Sequence, residues 1–335
     1  MWNFNDFNKW DKNGRQIDEN IVELNISNSN IYELGRIENL VNLKELNCNN
    51  NFLTSLQGIE NLNNLEYLNC SNNLITSLEG IENLTNLGYL HCNNNLLTSL
   101  EGIENLNSLE ELYCYVNKLT SLKEIQQLLN LNVLECNNNF LTSLEGIENL
   151  TNLKFITCGD NQITSLKDIQ QLNLKGLICS NNVLTSLKEI ENFIDLKYLN
   201  CENNKLISLE GIQNLYNISY LNCSNNFLTS LEEIQNLTNL AELNCHTNQL
   251  TSLEGIEFLT NLIVLSCQND NNILMRLKYN FIDTDDFMEL TELFDNLVKY
   301  RNDPVFGNED KFNEYIKEID IMINYLNGFQ KCVLK

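Results

Sequence analysis

The chain has 335 residues, of which 45 are acidic and 21 basic, giving a formal net charge of −24. Such acidity argues against nucleic acid as a partner, because phosphates need a basic stripe. With 43% hydrophobic residues, 13 Gly and one Pro, the composition excludes collagen and Pro/Gly-rich disorder, and no apolar run approaches the roughly 20 residues that cross a bilayer. Asparagine is in large excess, at 63 residues.

The first segment, residues 1–20, has no apolar h-region, so no secretory signal is expected. It places Trp2, Phe4, Phe7 and Trp10 in a polar setting, and the last three share i, i+3 spacing, which predicts one short amphipathic turn. The expected role is an N-terminal cap over the first repeat, with a partner-docking peptide as the alternative.

Residues 21–273 form the repeat region. Cysteines stand at 48, 70, 92, 114, 136, 158, 179, 201, 223, 245 and 267, every interval being 22 residues except the one from Cys158 to Cys179, which is 21. Each lies in one frame, as in Leu65-x-x-Leu68-x-Cys70-x-x-Asn73-x-Ile75, followed by Leu78, Ile81 and Leu84. Counting from the first Leu, apolar residues hold positions 1, 4, 6, 11, 14, 17 and 20, and Asn holds position 9. Frames open at 21, 43, 65, 87, 109, 131, 153, 174, 196, 218, 240 and 262, twelve in all, the last truncated. One such unit cannot bury its own apolar face, so neighbours must stack and share a core.

The segment L-x-x-L-x-C has the inside–outside alternation of a strand. Stacked copies would make a parallel sheet, with the Asn of position 9 serving the backbone at the buried turn that follows, since an amide both donates and accepts. Ser29 at the first frame and Asp270 at the last depart from that column. Position 16 is Gly58, Gly80, Gly102, Gly146, Gly211 or Gly255, but Glu124, Asp168, Glu189 or Glu233 elsewhere. The acidic residues predict an ordinary φ there, opening short turns or 3-10 segments on the convex side, where a 22-residue coil has little room for a full helix. The missing residue near Leu172-Asn173-Leu174 should fall in a convex loop, leaving Leu174, Leu177 and Cys179 inward.

These frames carry the leucine-rich-repeat pattern L-x-x-L-x-L-x-x-N/C-x-L, with Cys at the third apolar position. LTSLEGIENLTNL followed by xxLNCSNN resembles the short repeats of the phosphatase-1 regulatory class and is similar to those of bacterial internalins. Asn-rich repeats with Cys at position 6 also resemble leucine-rich-repeat proteins of giant amoeba viruses and AT-rich microbes. The resemblance implies an α/β solenoid, a right-handed horseshoe whose concave parallel sheet binds a protein.

After Cys267 the frame fails. Phe287, Leu290, Phe294 and Leu297 have helical spacing, as do Phe312, Ile316, Ile319, Ile323 and Leu326. Asp283 or Thr284 can cap the first helix, and Pro304 and Gly307 punctuate the link. Residues 274–335 are therefore expected to form a helical C-terminal cap. The final Cys332-Val333-Leu334-Lys335 has the outline of a prenylation box but ends in the wrong residue.

The chemistry points to binding rather than catalysis. Eleven cysteines fill one apolar column, where free Cys acts as a small hydrophobe, and no CxxC pair exists, so neither disulfides nor zinc are expected. Reduced thiols fit a cytoplasmic setting, the host cytoplasm if the source is viral. The two histidines, His91 and His246, sit seven frames apart, roughly 34 Å at one strand spacing each, too far to share a proton. No enzyme activity and no cofactor are expected.

The outward strand positions 3, 5 and 7 define the candidate face: Tyr67, Tyr89, Val133, Phe155, Tyr198 and Tyr220 at position 3, His91, Tyr113 and Ile178 at position 5, and Tyr115 at position 7. Exposed aromatics on one face favour a protein interface, although Tyr also suits a strand surface for its own sake. The expected protein is a monomeric, non-catalytic intracellular scaffold. A secreted internalin-like adhesin, or a regulatory subunit or adaptor of a host phosphatase or ubiquitin ligase, are the alternatives.

Overall fold

The computed structural model describes residues 3–267, apart from 15–17, 19, 36, 251 and 252. The helical hairpin and the terminal tetrapeptide expected from the sequence lie outside the described residues.

Twelve three-residue strands run through the repeats: β1 Glu23–Asn25, β2 Glu45–Asn47, β3 Tyr67–Asn69, β4 Tyr89–His91, β5 Glu111–Tyr113, β6 Val133–Glu135, β7 Phe155–Thr157, β8 Gly176–Ile178, β9 Tyr198–Asn200, β10 Tyr220–Asn222, β11 Glu242–Asn244 and β12 Val264–Ser266. They form one parallel sheet in chain order, each residue opposite its equivalent in the next repeat, as in Leu24↔Leu46 and Leu112↔Leu134. The central Leu or Ile of each strand from β1 to β11 is buried, and its neighbours lie on the opposite side of the sheet, exposed or half-buried except for Gly176, Asn222 and Asn244, so the period-two pattern aims one row at the core and two away from it. The core is continuous from Phe7 to Leu259.

Register survives the short repeat. Phe155↔Gly176, Ile156↔Leu177 and Thr157↔Ile178 pair in step, and Leu174, Leu177 and Cys179 are fully buried. A one-residue slip would have turned this row outward, so the deletion is absorbed between Leu172 and Leu174 on the convex side.

Up to three asparagines per repeat do three separate tasks, which accounts for much of the excess. At position 9, Asn73 Nδ2 donates to Cys48 O and Cys70 O, both at 3.1 Å, while its Oδ1 accepts from Leu53 N at 2.9 Å. The same pattern recurs at Asn95, Asn117 and Asn139. At position 8 the backbone is left-handed, with φ of 51° to 56° from Asn28 through Asn203 to Thr247, a conformation that Asn tolerates better than most side chains. At position 22, Asn64, Asn86 and Asn130 reach back to Val41 O, Asn63 O and Asn107 O at 2.8–3.0 Å, tying successive convex turns together.

The cysteines from Cys48 to Cys245 are buried, and Cys267 is half-buried. Cys70 Sγ donates to His91 O at 3.4 Å, and Cys201 Sγ to Asn222 O at the same distance. Burial pushes the thiols of Cys70, Cys158 and Cys201 up from 9.0 to about 12.

The convex side corrects one expectation. Position 16 does not have a single ordinary conformation, because two kinds of turn share it. Where it is Gly, φ is positive: 104° at Gly58, Gly80 and Gly102, 111° at Gly146 and 114° at Gly211. There the Gly N–H is capped by the side chain two residues on, as with Gly80 and Glu82 or Gly146 and Glu148. Where it is acidic, the chain instead forms a 3-10 turn, over Lys123–Ile125, Lys167–Ile169, Lys188–Ile190 and Glu232–Ile234. Two of these acids reach back one coil, Asp168 Oδ2 accepting from Leu144 N at 3.1 Å and Glu189 Oε1 from Ser165 Oγ at 3.0 Å. A side-chain carboxylate thus replaces the glycine route.

At the N-terminal end, helix α1, Phe4–Lys12, opens with a capping box in which Asn3 accepts from Asn5 N and Asp6 N and the Asp6 carboxylate accepts from Asn3 N. Phe7 and Trp10 are buried in the common core, with ring centroids 5.7 Å apart.

Candidate functional site

The solvent side of the sheet presents positions 3 and 5 of every strand, with position 7 just beyond. All ten residues singled out above stand at these positions, exposed or half-buried. The structure gathers them into two aromatic groups. In the first, the Tyr67 ring lies 5.3 Å from the His91 ring, and His91 lies 4.3 Å from Tyr113. The pairing explains this: His91 is directly opposite Tyr113, whereas Tyr67 reaches it diagonally across the β3–β4 pair. In the second, Tyr198 and Tyr220 stack with centroids 4.2 Å apart and planes 4° from parallel. Their strands place them directly opposite each other.

Between the groups lie Val133, Phe155 and Ile178. Gly176 makes room for Phe155: a Cβ there would stand 2.9 Å from Phe155 Cδ1. Tyr89 and Tyr115 occupy the same face, and the Tyr89 hydroxyl donates to Glu110 Oε2 at 3.4 Å.

Carboxylates surround the first group. The Tyr113 hydroxyl donates to Glu111 Oε2 at 2.7 Å. Burial and that bond hold the phenol well above its usual range. Glu135 is directly opposite Tyr113 on the next strand, and burial, helped by the charge of Glu111, raises its carboxyl above the usual value. Burial lowers the His91 imidazole in spite of Glu111, so at neutral pH it is an uncharged ring.

Positions 3 and 5 of all twelve strands and position 7 of the first eleven repeats contain Glu23, Glu45, Glu111, Glu135, Glu202 and Glu242, and no Lys or Arg. Ion pairs among the described residues lie off this face, at Lys44–Glu66, Lys123–Glu145 and Lys188–Glu210.

Three residues escaped the sequence reading. Glu111 and Glu135 share the face with the aromatics, and their frame positions alone could have shown it. Val116 is the third. It occupies position 8 with φ 52°, where a β-branched side chain is strained, and it is exposed beside Tyr115.

No group of three or more His, Cys, Asp or Glu among the described residues could hold a metal ion. His91 lies on β4 and His246 just past β11, too far apart to act on one proton.

The fold and its sheet define a repeat solenoid with one long strand face that the other described residues leave open. The family of leucine-rich repeats (two copies) matches residues 63–105, 129–171 and 216–257. The functional domain of InlJ from Listeria monocytogenes, described as including a cysteine ladder, superposes with a TM-score of 0.68 at 32% identity over 75% of this chain. This chain spans 54% of that domain. A leucine-rich-repeat protein of Leptospira interrogans gives 0.59 at 30% identity, covering 78% of this chain and 82% of the other. The internalin inlF of Listeria monocytogenes gives 0.63 at 27%, covering 75% and 82%. No curated protein matches the chain in sequence. The chain belongs to the leucine-rich-repeat family, with a 22-residue repeat.

Proposed function

We propose that this protein is a non-catalytic scaffold that binds a protein partner across the exposed face of its sheet. The observation that carries the reading is the aromatic clustering, Tyr67–His91–Tyr113 and Tyr198–Tyr220, on a surface held rigid by strand pairing and the position-9 asparagines. A preformed surface lowers the ordering cost of association, and tyrosine is a frequent anchor at protein interfaces.

A reducing cytoplasm suits the chain during synthesis, because its twelve thiols would otherwise meet and cross-link before burial. The absence of cations from the face favours protein over nucleic acid, and the monomer is the proposed state.

The test is comparative affinity capture with the full chain. Tyr113→Ala and Tyr115→Ala together should leave the fold intact, since neither side chain belongs to the core, and should weaken capture of the specific partner by ~2 kcal/mol if they are anchors. The control is Glu79→Gln with Glu101→Gln on the exposed convex side. Loss of the partner with the convex variant, and not with the tyrosine pair, would refute the assignment.

A further inference from the structure

Within that face, the charge is divided along the solenoid. The stretch from β3 to β6 combines the Tyr67–His91–Tyr113 rings with Glu111 and Glu135. Position 2, at the entry to each strand, is Glu66 before β3, paired with Lys44 before β2, and Glu110 before β5, which accepts from the Tyr89 hydroxyl, but Lys154, Lys175 and Lys197 before β7, β8 and β9. These three lysines are linked through the backbone, Lys175 N donating to Lys154 O and Lys197 N to Lys175 O, so they stand side by side. One half of the face is acidic and aromatic, and the next is edged with positive charge.

We infer that the β3–β6 part of the face is the docking site for an extended, cationic segment of the partner, with an arginine or lysine seated against Tyr113 between Glu111 and Glu135. This deepens the reading of the sheet as a partner-binding face and rests on it. Three features point to that chemistry.

Carboxylates here have no counter-charge on the face, and Glu135 is half-buried beside a second acid, so an arriving cation gains from both. The Tyr67, His91 and Tyr113 rings lie together on the same side of the sheet, and tyrosine rings attract a guanidinium or ammonium. The lysine edge at β7–β9 repels a cationic segment and so confines it. The span from β3 to β6 is three strand spacings, roughly 14 Å, or about four residues of extended chain. An anionic segment would meet the opposite arrangement and be turned away from β3–β6.

The experiment is selection of a random peptide library of about 12 residues, displayed on phage, against the immobilised full chain. Recovered peptides are then synthesised and measured against wild type, Tyr113→Ala, Glu111→Gln/Glu135→Gln and Lys154→Gln/Lys175→Gln/Lys197→Gln. Each variant is first checked for an unchanged urea midpoint. The expected peptides are net positive and carry Arg or Lys next to an apolar residue. Their affinity should fall about tenfold or more with either Tyr113→Ala or the glutamine pair, and should hold or rise with the lysine triple.

Peptides that are neutral or acidic yet still need Tyr113 would overturn the cationic assignment and leave the face as the binding surface. Binders indifferent to Tyr113 would overturn both. Recovery of no binder to wild type would also overturn the inference.

Discussion

Replacing Asn95 with alanine removes four hydrogen bonds at once, but the structure shows that they are not equivalent. Asn95 Nδ2 donates to Cys70 O at 3.0 Å, Cys92 O at 3.1 Å and Asn93 O at 3.3 Å, and its Oδ1 accepts from Ile75 N at 3.0 Å. Each acceptor keeps a second donor: Asn73 at Cys70 O, Asn117 at Cys92 O and the Asn72 N–H at Asn93 O. Ile75 N–H keeps nothing.

One orphaned buried donor costs about 1–3 kcal/mol, and each lost neutral bond about 0.5–1.5, so Asn95→Ala should destabilise by about 3 kcal/mol. Asn94→Ala, at a left-handed position with φ 53°, should cost about 1 kcal/mol from backbone strain. Asn86→Ala, which loses an exposed bond to Asn63 O, should cost about 0.5 kcal/mol. Urea unfolding followed by circular dichroism ranks the three by midpoint, provided the slope is unchanged. An Asn95 variant no worse than the Asn94 variant would show that the buried ladder is not the dominant role of asparagine in this fold.

The thiol column should make the protein sensitive to alkali. Cys70, Cys158 and Cys201 are raised from 9.0 to about 12 in the folded state, so the unfolded chain loses its protons first. Stability is then intact below pH 9 and falls above it, by about 1.4 kcal/mol per buried thiol at about pH 10. Burial pushes Cys48, Cys92, Cys114, Cys136, Cys179 and Cys223 in the same direction, so circular dichroism should record progressive loss of the fold as the pH rises past about 10. A fold that persists at about pH 11 would contradict the reasoning. On the convex side, Gly146→Ala should be far more harmful than Gly80→Ala although both have positive φ. The new Cβ would sit 2.5 Å from Leu122 O in the first and 3.7 Å from Leu56 O in the second. Backbone strain costs both about 1–2 kcal/mol, and overpacking adds about 1–3 to Gly146 alone. Equal thermal midpoints would refute the difference.

The 22-residue period determined most of the architecture by itself. Leu68, Cys70, Ile75, Leu78, Ile81 and Leu84 recur in one frame, and only stacking in register buries them all. The inward row, the buried thiols, the Asn73 column and the tolerance of the deletion near Leu172 follow from that single constraint. The outward face was legible in part, because the strand period assigns Tyr67, His91 and Tyr113 to it without saying which will touch.

The tertiary structure decided the rest. Tyr67 meets His91 only because a diagonal across two strands is within reach of an aromatic side chain, and the half-burial of Glu135 is not visible in its frame position. At position 16 the residue type separates two backbones, positive φ at Gly146 and a 3-10 turn at Glu124, but only the structure shows that both fit the same place in the coil. Likewise, the frame position foretold the buried support given by Asn95, but the tie that Asn86 makes to Asn63 O between convex turns appears only in the structure. A repeating sequence fixes what faces inward, because burial is shared by every copy. Contacts between non-equivalent positions of neighbouring copies depend on side-chain reach and turn geometry, which the period does not contain.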